Sequence, residues 1–249
     1  MVIRLRLFYF LLFATFCQLV FAQPNTEKGL NLPKFYNQRI HFGFSIGFNQ
    51  TDFRIHTVPN SKMPHDVHDT ILYPQDTLTL KSVQSKADPG FNLGIICDLR
   101  IHKYVRLRFL PSISFASRSL LYNFTGTKTF TKVKKSESSF IFLPLNVKLQ
   151  SKRLQNFSAY VVGGGAFSID LASGKKDAAN DAVVRLQSTD WYYEGGAGVD
   201  FYLPYFKLAL EMKVITGMKN ILIKDNTFFT TPINKLNSHI FLVSITFEG

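Results

Sequence analysis

Apolar residues alternate with small or polar ones along eight separate stretches of this chain, and that period of two constrains the fold more than any other feature. In RIHFGFSIGFN, Arg39 to Asn49, the residues Ile40, Phe42, Phe44, Ile46 and Phe48 take one face of an extended backbone. His41, Gly43, Ser45, Gly47 and Asn49 take the other, which is the signature of a β-strand. The alternation returns in FNLGIICDLRI from Phe91, YVRLRFLPSISF from Tyr104, IFLPLNVKL from Ile141 and FSAYVVGGGAFSIDL from Phe157. It returns again in WYYEGGAGVDFYL from Trp191, FKLALEMKV from Phe206 and HIFLVSITF from His239. Eight strands, an even number, make an all-β chain. What remains to be decided is whether the apolar face meets a protein core or a lipid bilayer.

The first 22 residues stand apart from this pattern. Arg4 and Arg6 form a basic start, Leu7 to Val20 is an apolar run, and Val20-Phe21-Ala22 offers a small-residue cleavage pattern. These are the parts of a secretory signal peptide over residues 1–22, with the mature chain starting near Gln23. A retained anchor is the rival reading, but the run barely reaches the ~20 residues a spanning helix needs. Bulky Phe16 before Cys17 argues against a lipoprotein site. Without residues 1–22 the formal charge falls from +12 to +10 and Cys97 is the one cysteine left, so no intrachain disulfide is expected. Cys97 reads as a small hydrophobe. Residues 23–38 read as a periplasmic N-terminal segment and 39–249 as a single β-barrel domain.

After the signal peptide no apolar run approaches ~18 residues, so the only remaining way to cross a membrane is a closed barrel, which satisfies every backbone group internally. Several features point that way. The links between strands alternate in length. His102-Lys103-Tyr104, residues 151–156 and the two-residue turn Pro204-Tyr205 are short. Segments 50–88, 118–136, 172–189 and 216–237 read as long polar loops. Short periplasmic turns opposite longer external loops are the pattern of an outer-membrane barrel, with both termini on the short-turn side. Trp191 and Tyr193 beside a long loop, and Tyr104 and Tyr205 beside tight turns, match interfacial aromatic girdles.

The soluble alternative is a lipocalin-like barrel with an apolar interior. Against it, the polar faces carry charges of both signs at mid-strand: Asp98, Arg100, Arg106, Arg108, Lys148, Glu194, Asp200, Glu211 and Lys213. An eight-stranded lumen is just wide enough to be filled by side chains, and a matched ionic pillar fits it. Pro111 and Pro144 fall inside strands of a barrel with no edges, and β-bulges are expected to house them. The last strand ends Phe247-Glu248-Gly249, not in the terminal aromatic that many outer-membrane barrels carry.

Chemistry-bearing clusters are few. PHDVHD, with His65, His68 and two aspartates, is the densest set of metal-ligand types. It lies in a long loop with no second cluster to complete four ligands, so a solvated loop is the simpler reading. GGG at Gly163–Gly165 and GGAG at Gly195–Gly198 lack the strand-turn-helix setting of a phosphate loop and read as close packing or lumen space. His41, Ser45, Ser112, Ser114 and Glu194 face the lumen. A lipid-acting hydrolase would need serine and histidine together on the lipid side near the external rim. His239 is near that rim, but no serine is tied to it by spacing. No catalytic, cofactor-binding or metal-ligating residue is assigned, no cofactor is expected, and the chain reads as a non-enzyme. Lys128, Lys132, Lys134, Lys135, Lys175 and Lys176 fall in the expected external loops. They offer a surface for anionic lipopolysaccharide or acidic protein, or simply for solvent. Neither nucleic acid nor a small-molecule substrate is an expected partner.

With the strands in place, three stretches carry a resemblance. NLPKFYNQRIHFGFSIGFNQTDFRI (Asn31–Ile55), FIFLPLNVKLQ (Phe140–Gln150) and GAGVDFYLPYFKLALEMKV (Gly196–Val214) are similar to PorT-like proteins of Bacteroidetes. The middle stretch departs from the family's more usual acidic residue before the proline. The resemblance implies an outer-membrane component needed for type IX secretion and, in some members, gliding motility. It implies other secretion-system proteins as partners and brings no catalytic residues. A side-chain-filled barrel leaves no pore for folded cargo, so the expected role is structural or in assembly rather than as the conduit. The alternative is a small barrel for adhesion or envelope integrity.

Overall fold

The computed structural model describes residues 30–57, 79–125, 129–171, 186–223, 230 and 233–249. Nine strands occur among them: β1 (Ile40–Thr57), β2 (Thr79–Arg100), β3 (Val105–Phe109), β4 (Ser112–Thr125), β5 (Thr129–Gln150), β6 (Phe157–Asp170), β7 (Thr189–Tyr202), β8 (Lys207–Gly217) and β9 (Ile233–Glu248). One short helix, α1 (Pro33–Asn37), precedes them. All belong to the compact unit Asn31–Gly249. Among the described residues no helix is long and apolar enough to cross a membrane.

Every strand pairs antiparallel with its neighbours, and β1 pairs with both β2 and β9, which closes the sheet on itself. β3 and β4 lie end to end between β2 and β5 and form one stave. The result is a closed eight-stave antiparallel barrel, as the eight alternating stretches predict. The turn at Pro204-Tyr205 keeps the expected register, with the Leu203 N–H donating to the Phe206 carbonyl at 3.0 Å.

The two strand prolines do not sit in bulges. Phe109 pairs with Leu145 and Ser112 with Phe142, so the register is unbroken across Leu110 and Pro111. Pro111 and Pro144 lie almost opposite each other, and each still accepts a ladder bond: from the Ile95 N–H at 3.0 Å and from the Leu110 N–H at 3.3 Å. Each simply leaves out the N–H it does not have, and the gap separates β3 from β4. The irregularities fall elsewhere, in β2 and at the outer end of the β1–β9 pair. Between the pairs Ala87–Arg118 and Phe91–Phe115, three residues oppose two, and Pro89-Gly90 occupy that kink.

The expected long loops are shorter than the sequence suggests. Segment 118–136 is mostly ladder: β4 and β5 pair from Arg118–Ser136 out to Thr125–Thr129. Residues 50–57 and 79–88 are strand as well. The PHDVHD cluster, Lys128, Lys175 and Lys176 fall outside the described residues.

The reason for the misreading lies in the side chains. In the half of the barrel near the short turns, apolar residues point outward, as with Phe42, Phe44, Ile46 and Phe48 of β1, Leu145 and Val147 of β5, and Met212 of β8. Their neighbours His41, Ser45, Asn49, Lys148 and Glu211 are buried inside. Toward the other end the assignment inverts. On β1, Arg54 and His56 face out and Phe53 is buried. On β9, Lys235 faces out while Leu236, Ile240 and Leu242 are buried. The outward apolar belt is the part suited to lipid, and the walls beyond it have the pattern of a soluble barrel.

Candidate functional site

The interior of the belt is filled by ions. Five cations, Arg106, Arg108, Lys148, Lys207 and Lys213, and five carboxylates, Asp98, Glu194, Asp200, Glu211 and Glu248, are buried there. The alternation of β2, β3, β5, β7, β8 and β9 turns them inward from the surrounding staves.

Arg108 is the centre. Its guanidinium donates to Glu211 at 2.8 Å, to Asp98 at 3.1 Å and to Glu248 at 3.4 Å. β3 and β8 stand on opposite sides of the eight-stave ring, so the Arg108–Glu211 bond crosses the lumen. The Tyr160 hydroxyl also donates to Glu211, at 2.7 Å. Lys148 reaches Asp200 at 2.8 Å and lies 3.7 Å from the centroid of the Tyr160 ring. Lys207 joins Asp200 to Glu248, and Lys213 joins Glu194 to Glu211. Asn146 donates to Glu194. Arg106 bonds Gln150 at 3.1 Å and His41 at 3.2 Å. Each of the other ions faces an opposite charge, so the cost of burial is offset by pairing, and removal of one partner leaves the others uncompensated.

Toward the long-loop end the filling changes. Phe142, Tyr192, Ile215, Ile240 and Leu242 pack together across the lumen. Between them and the ions, a cavity lined by Asn92, Ser112, Ser114, Glu194 and Lys213 measures about 20 Å³, the size of one water. Above the apolar layer Arg118 bonds Ser238 at 2.8 Å and Ser138 at 3.0 Å, with its guanidinium 4.7 Å from the Phe53 ring and 4.8 Å from that of Phe140. A second apolar cluster of Phe53, Val83, Leu120, Tyr122 and Leu236 closes this end. Burial there pushes the Tyr122 phenol well above its ordinary range.

The short-turn mouth is covered by the chain's own leading segment. Phe35 of α1 is buried, its ring 3.9 Å from that of His41. The Asn31 N–H donates to Asn156 at 2.9 Å and its amide to the Tyr202 carbonyl at 2.9 Å. Arg153 donates to the Asn31 carbonyl and to Asn156, and stacks 3.9 Å over Tyr202. Sequence reasoning takes residues 23–38 as a segment without assigning it a seat. A sign of this cap in the sequence is apolar Phe35, close to Leu30 and Leu32, in an otherwise mostly polar stretch.

The structure separates the remaining candidates. His41, Ser45, Ser112, Ser114 and Glu194 all face the lumen and are buried. His41 meets Arg106 at 3.2 Å and Glu248 at 3.8 Å, so it belongs to the ionic filling. His239 does face outward at the long-loop rim, and its Nδ1 meets the Thr216 hydroxyl at 3.2 Å. Asp52 pairs with His239 on the other side. The ladder continues through all three strands, so the nearby backbone N–H groups are engaged and do not form an oxyanion hole. Within the glycine runs, Gly164 is demanded by close approach. A Cβ there would stand 2.2 Å from the Leu145 carbonyl, whereas one on Gly195 would come no closer than 4.0 Å, to the Val162 carbonyl.

The match to known proteins agrees with this construction. The family model "Outer membrane protein beta-barrel domain" matches residues 21–222. Among solved structures, the outer membrane protein OprG of Pseudomonas aeruginosa is 12% identical, with 84% of this chain and 92% of that one covered at a TM-score of 0.40. Ail, the attachment invasion locus protein of Yersinia pestis, is 13% identical, with 85% and 100% covered at 0.33. The outer membrane protein AlkL, solved by solid-state NMR in lipid bilayers, is 12% identical, with 91% and 93% covered at 0.36. At these scores the likenesses carry no argument beyond the family match. No curated protein sequence matches the chain.

Proposed function

The chain belongs to the outer membrane protein β-barrel domain family, and from that premise we propose that it is a structural or assembly component of type IX protein secretion that docks partners at the outer membrane. The protein resides in the bacterial outer membrane, with its belt in the bilayer. The observation that carries the proposal is the lumen crossed by Arg108 and Glu211 and filled on both sides of that bond. A barrel plugged in this way passes no polypeptide, so a part in export is played through surfaces. Those surfaces are the capped short-turn face in the periplasm and the strand walls that rise above the belt toward the outside, where lipopolysaccharide and secretion-system proteins are in reach. The sequence similarity to PorT-like proteins supports type IX secretion as the process and gliding as a related readout.

The test is deletion of the gene with measurement of type IX cargo in the culture medium. Cargo retained in the periplasm, restored by the wild-type gene, is the expected result. Normal export overturns the proposal and leaves adhesion or envelope integrity, which altered surface binding of the same strain would reveal.

A further inference from the structure

Among the described residues, the side-chain charges exposed on the short-turn face are all positive. Lys34, Arg39, Lys103 and Lys152 lie exposed at this end. Among the described residues no acidic side chain is exposed there. The carboxylates at this level, Asp98, Asp200 and Glu248, are fully buried in the lumen and committed to Arg108, Lys148 and Lys207. The other end differs, for there the outward cations Arg54 and Lys235 share the wall with Asp52.

The position of the cations is as informative as their number. Lys103 follows Ile101 of the belt by two residues, and Lys152 follows Leu149 by three. At ~3.3 Å per residue this sets the lysine backbones within about 10 Å of the last lipid-facing residue, from which the long side chains reach the headgroup layer. Apolar anchors alternate with them: Ile101 and Tyr104 at one turn, Leu154 (68% exposed) at the next and Tyr205 (88% exposed) at the third. The cations occupy the start of β1, the β2–β3 turn and the β5–β6 turn, three successive places along the rim, while the β7–β8 turn presents Tyr205 and no cation.

We propose that this rim is a binding surface for the phosphates of anionic phospholipids, phosphatidylglycerol or cardiolipin, in the periplasmic leaflet. Long cationic side chains reach from the end of an apolar belt to headgroup phosphates, and aromatic and aliphatic anchors fix the depth. An acidic periplasmic protein is the competing occupant. The placement of Lys103 and Lys152 directly beyond lipid-facing residues and beside exposed Ile101 and Leu154 favours lipid, because a soluble partner would meet the cap and the mouth instead.

The experiment uses the purified full chain, reconstituted in phosphatidylcholine vesicles with traces of spin-labelled lipids. The fraction of label immobilised at the protein is read by electron paramagnetic resonance. Labelled phosphatidylglycerol is expected to be retained several-fold more strongly than labelled phosphatidylcholine, and the preference is expected to fall as salt shortens the screening length. In the variant K34Q/K103Q/K152Q, whose replaced lysines hold no lumen ion pair, the preference falls toward unity while heat-modifiable gel migration reports an intact barrel. In R54Q/K235Q, altered at the opposite end, the preference is retained. Equal immobilisation of the two labels by the wild-type protein at low salt overturns the proposal and assigns the face to an acidic protein. Full preference in the triple variant, or its loss in R54Q/K235Q, overturns it as well.

Discussion

The two halves of this barrel solve opposite problems with one backbone. Near the short turns the outside is oily and the inside ionic. Near the long loops the outside is charged and the inside is phenylalanine, leucine and isoleucine. The sheet is continuous through the change, and β1 carries both patterns, Phe42 to Phe48 facing out and then Phe53 facing in. The solvent outside the wall therefore decides what fills the inside. Where lipid takes the apolar face, the interior receives the polar one and each ion must find a counter-ion. Where water meets the wall, the interior is built mainly of apolar clusters, with Arg118 held between them.

The strongest test of the contrast removes the hub of the ionic half. Arg108→Ala leaves Asp98, Glu211 and Glu248 short of a cation and is expected to cost ~3–5 kcal/mol. Urea unfolding in detergent, followed by gel shift, measures it. A loss under ~1 kcal/mol would mean that water enters the lumen and that the two halves are alike. In the other half, Leu236→Ala empties a fully buried site and is expected to cost about 3 kcal/mol by the same assay.

The outer wall gives the next contrast. Leu210→Arg places a charge in the belt and should cost ~2–4 kcal/mol, whereas Arg54→Leu above the belt should change stability by less than about 0.5 kcal/mol. Equal effects at the two positions would mean that no bilayer boundary lies between them. Spin labels sharpen the same line: at Leu93, Val199 and Leu210 they should report hydrocarbon, and at Arg54 water.

The smallest expected difference is between two neighbouring glycines. Gly164→Ala forces a Cβ against the Leu145 carbonyl and should cost ~1–3 kcal/mol. Gly195→Ala points outward with the Val162 carbonyl no nearer than 4.0 Å and is expected to be neutral or to stabilise by up to ~1 kcal/mol. Chemical denaturation of the two variants side by side measures the gap.

Much of this was legible in the residues. Ile40 to Phe48 announce a strand, Asp98, Arg108, Lys148 and Glu211 announce an ionic interior, and Pro204-Tyr205 fixes a register. The outer walls were not legible, because the cue fails where the pattern changes sign. A reader following apolar residues along β1 loses them after Phe48 and takes Gln50 onward for loop, although Phe53 continues the strand on the other face. Segment 118–136 hides for the same reason, with Leu120 and Tyr122 turned inward among serines and lysines. Pro111 and Pro144 each, taken as a single residue in a strand, point to a bulge. Their near-opposition across two strands, which lets one gap serve both, is a fact of pairing and not of either segment. The hub at Arg108 was visible as a charge but not as a hub, since its partners lie 10, 103 and 140 residues away.

Those separations say something about how the molecule is made. A chain halted after β7 holds Arg108 with one of its three carboxylates, because Glu211 and Glu248 arrive only on the last two strands. Half-built sheets thus carry a guanidinium with Asp98 alone toward what will become the interior, and the final hairpin both seals the cylinder and completes the pairing at its axis. Insertion should accordingly be all-or-none, with the C-terminal hairpin as the latch.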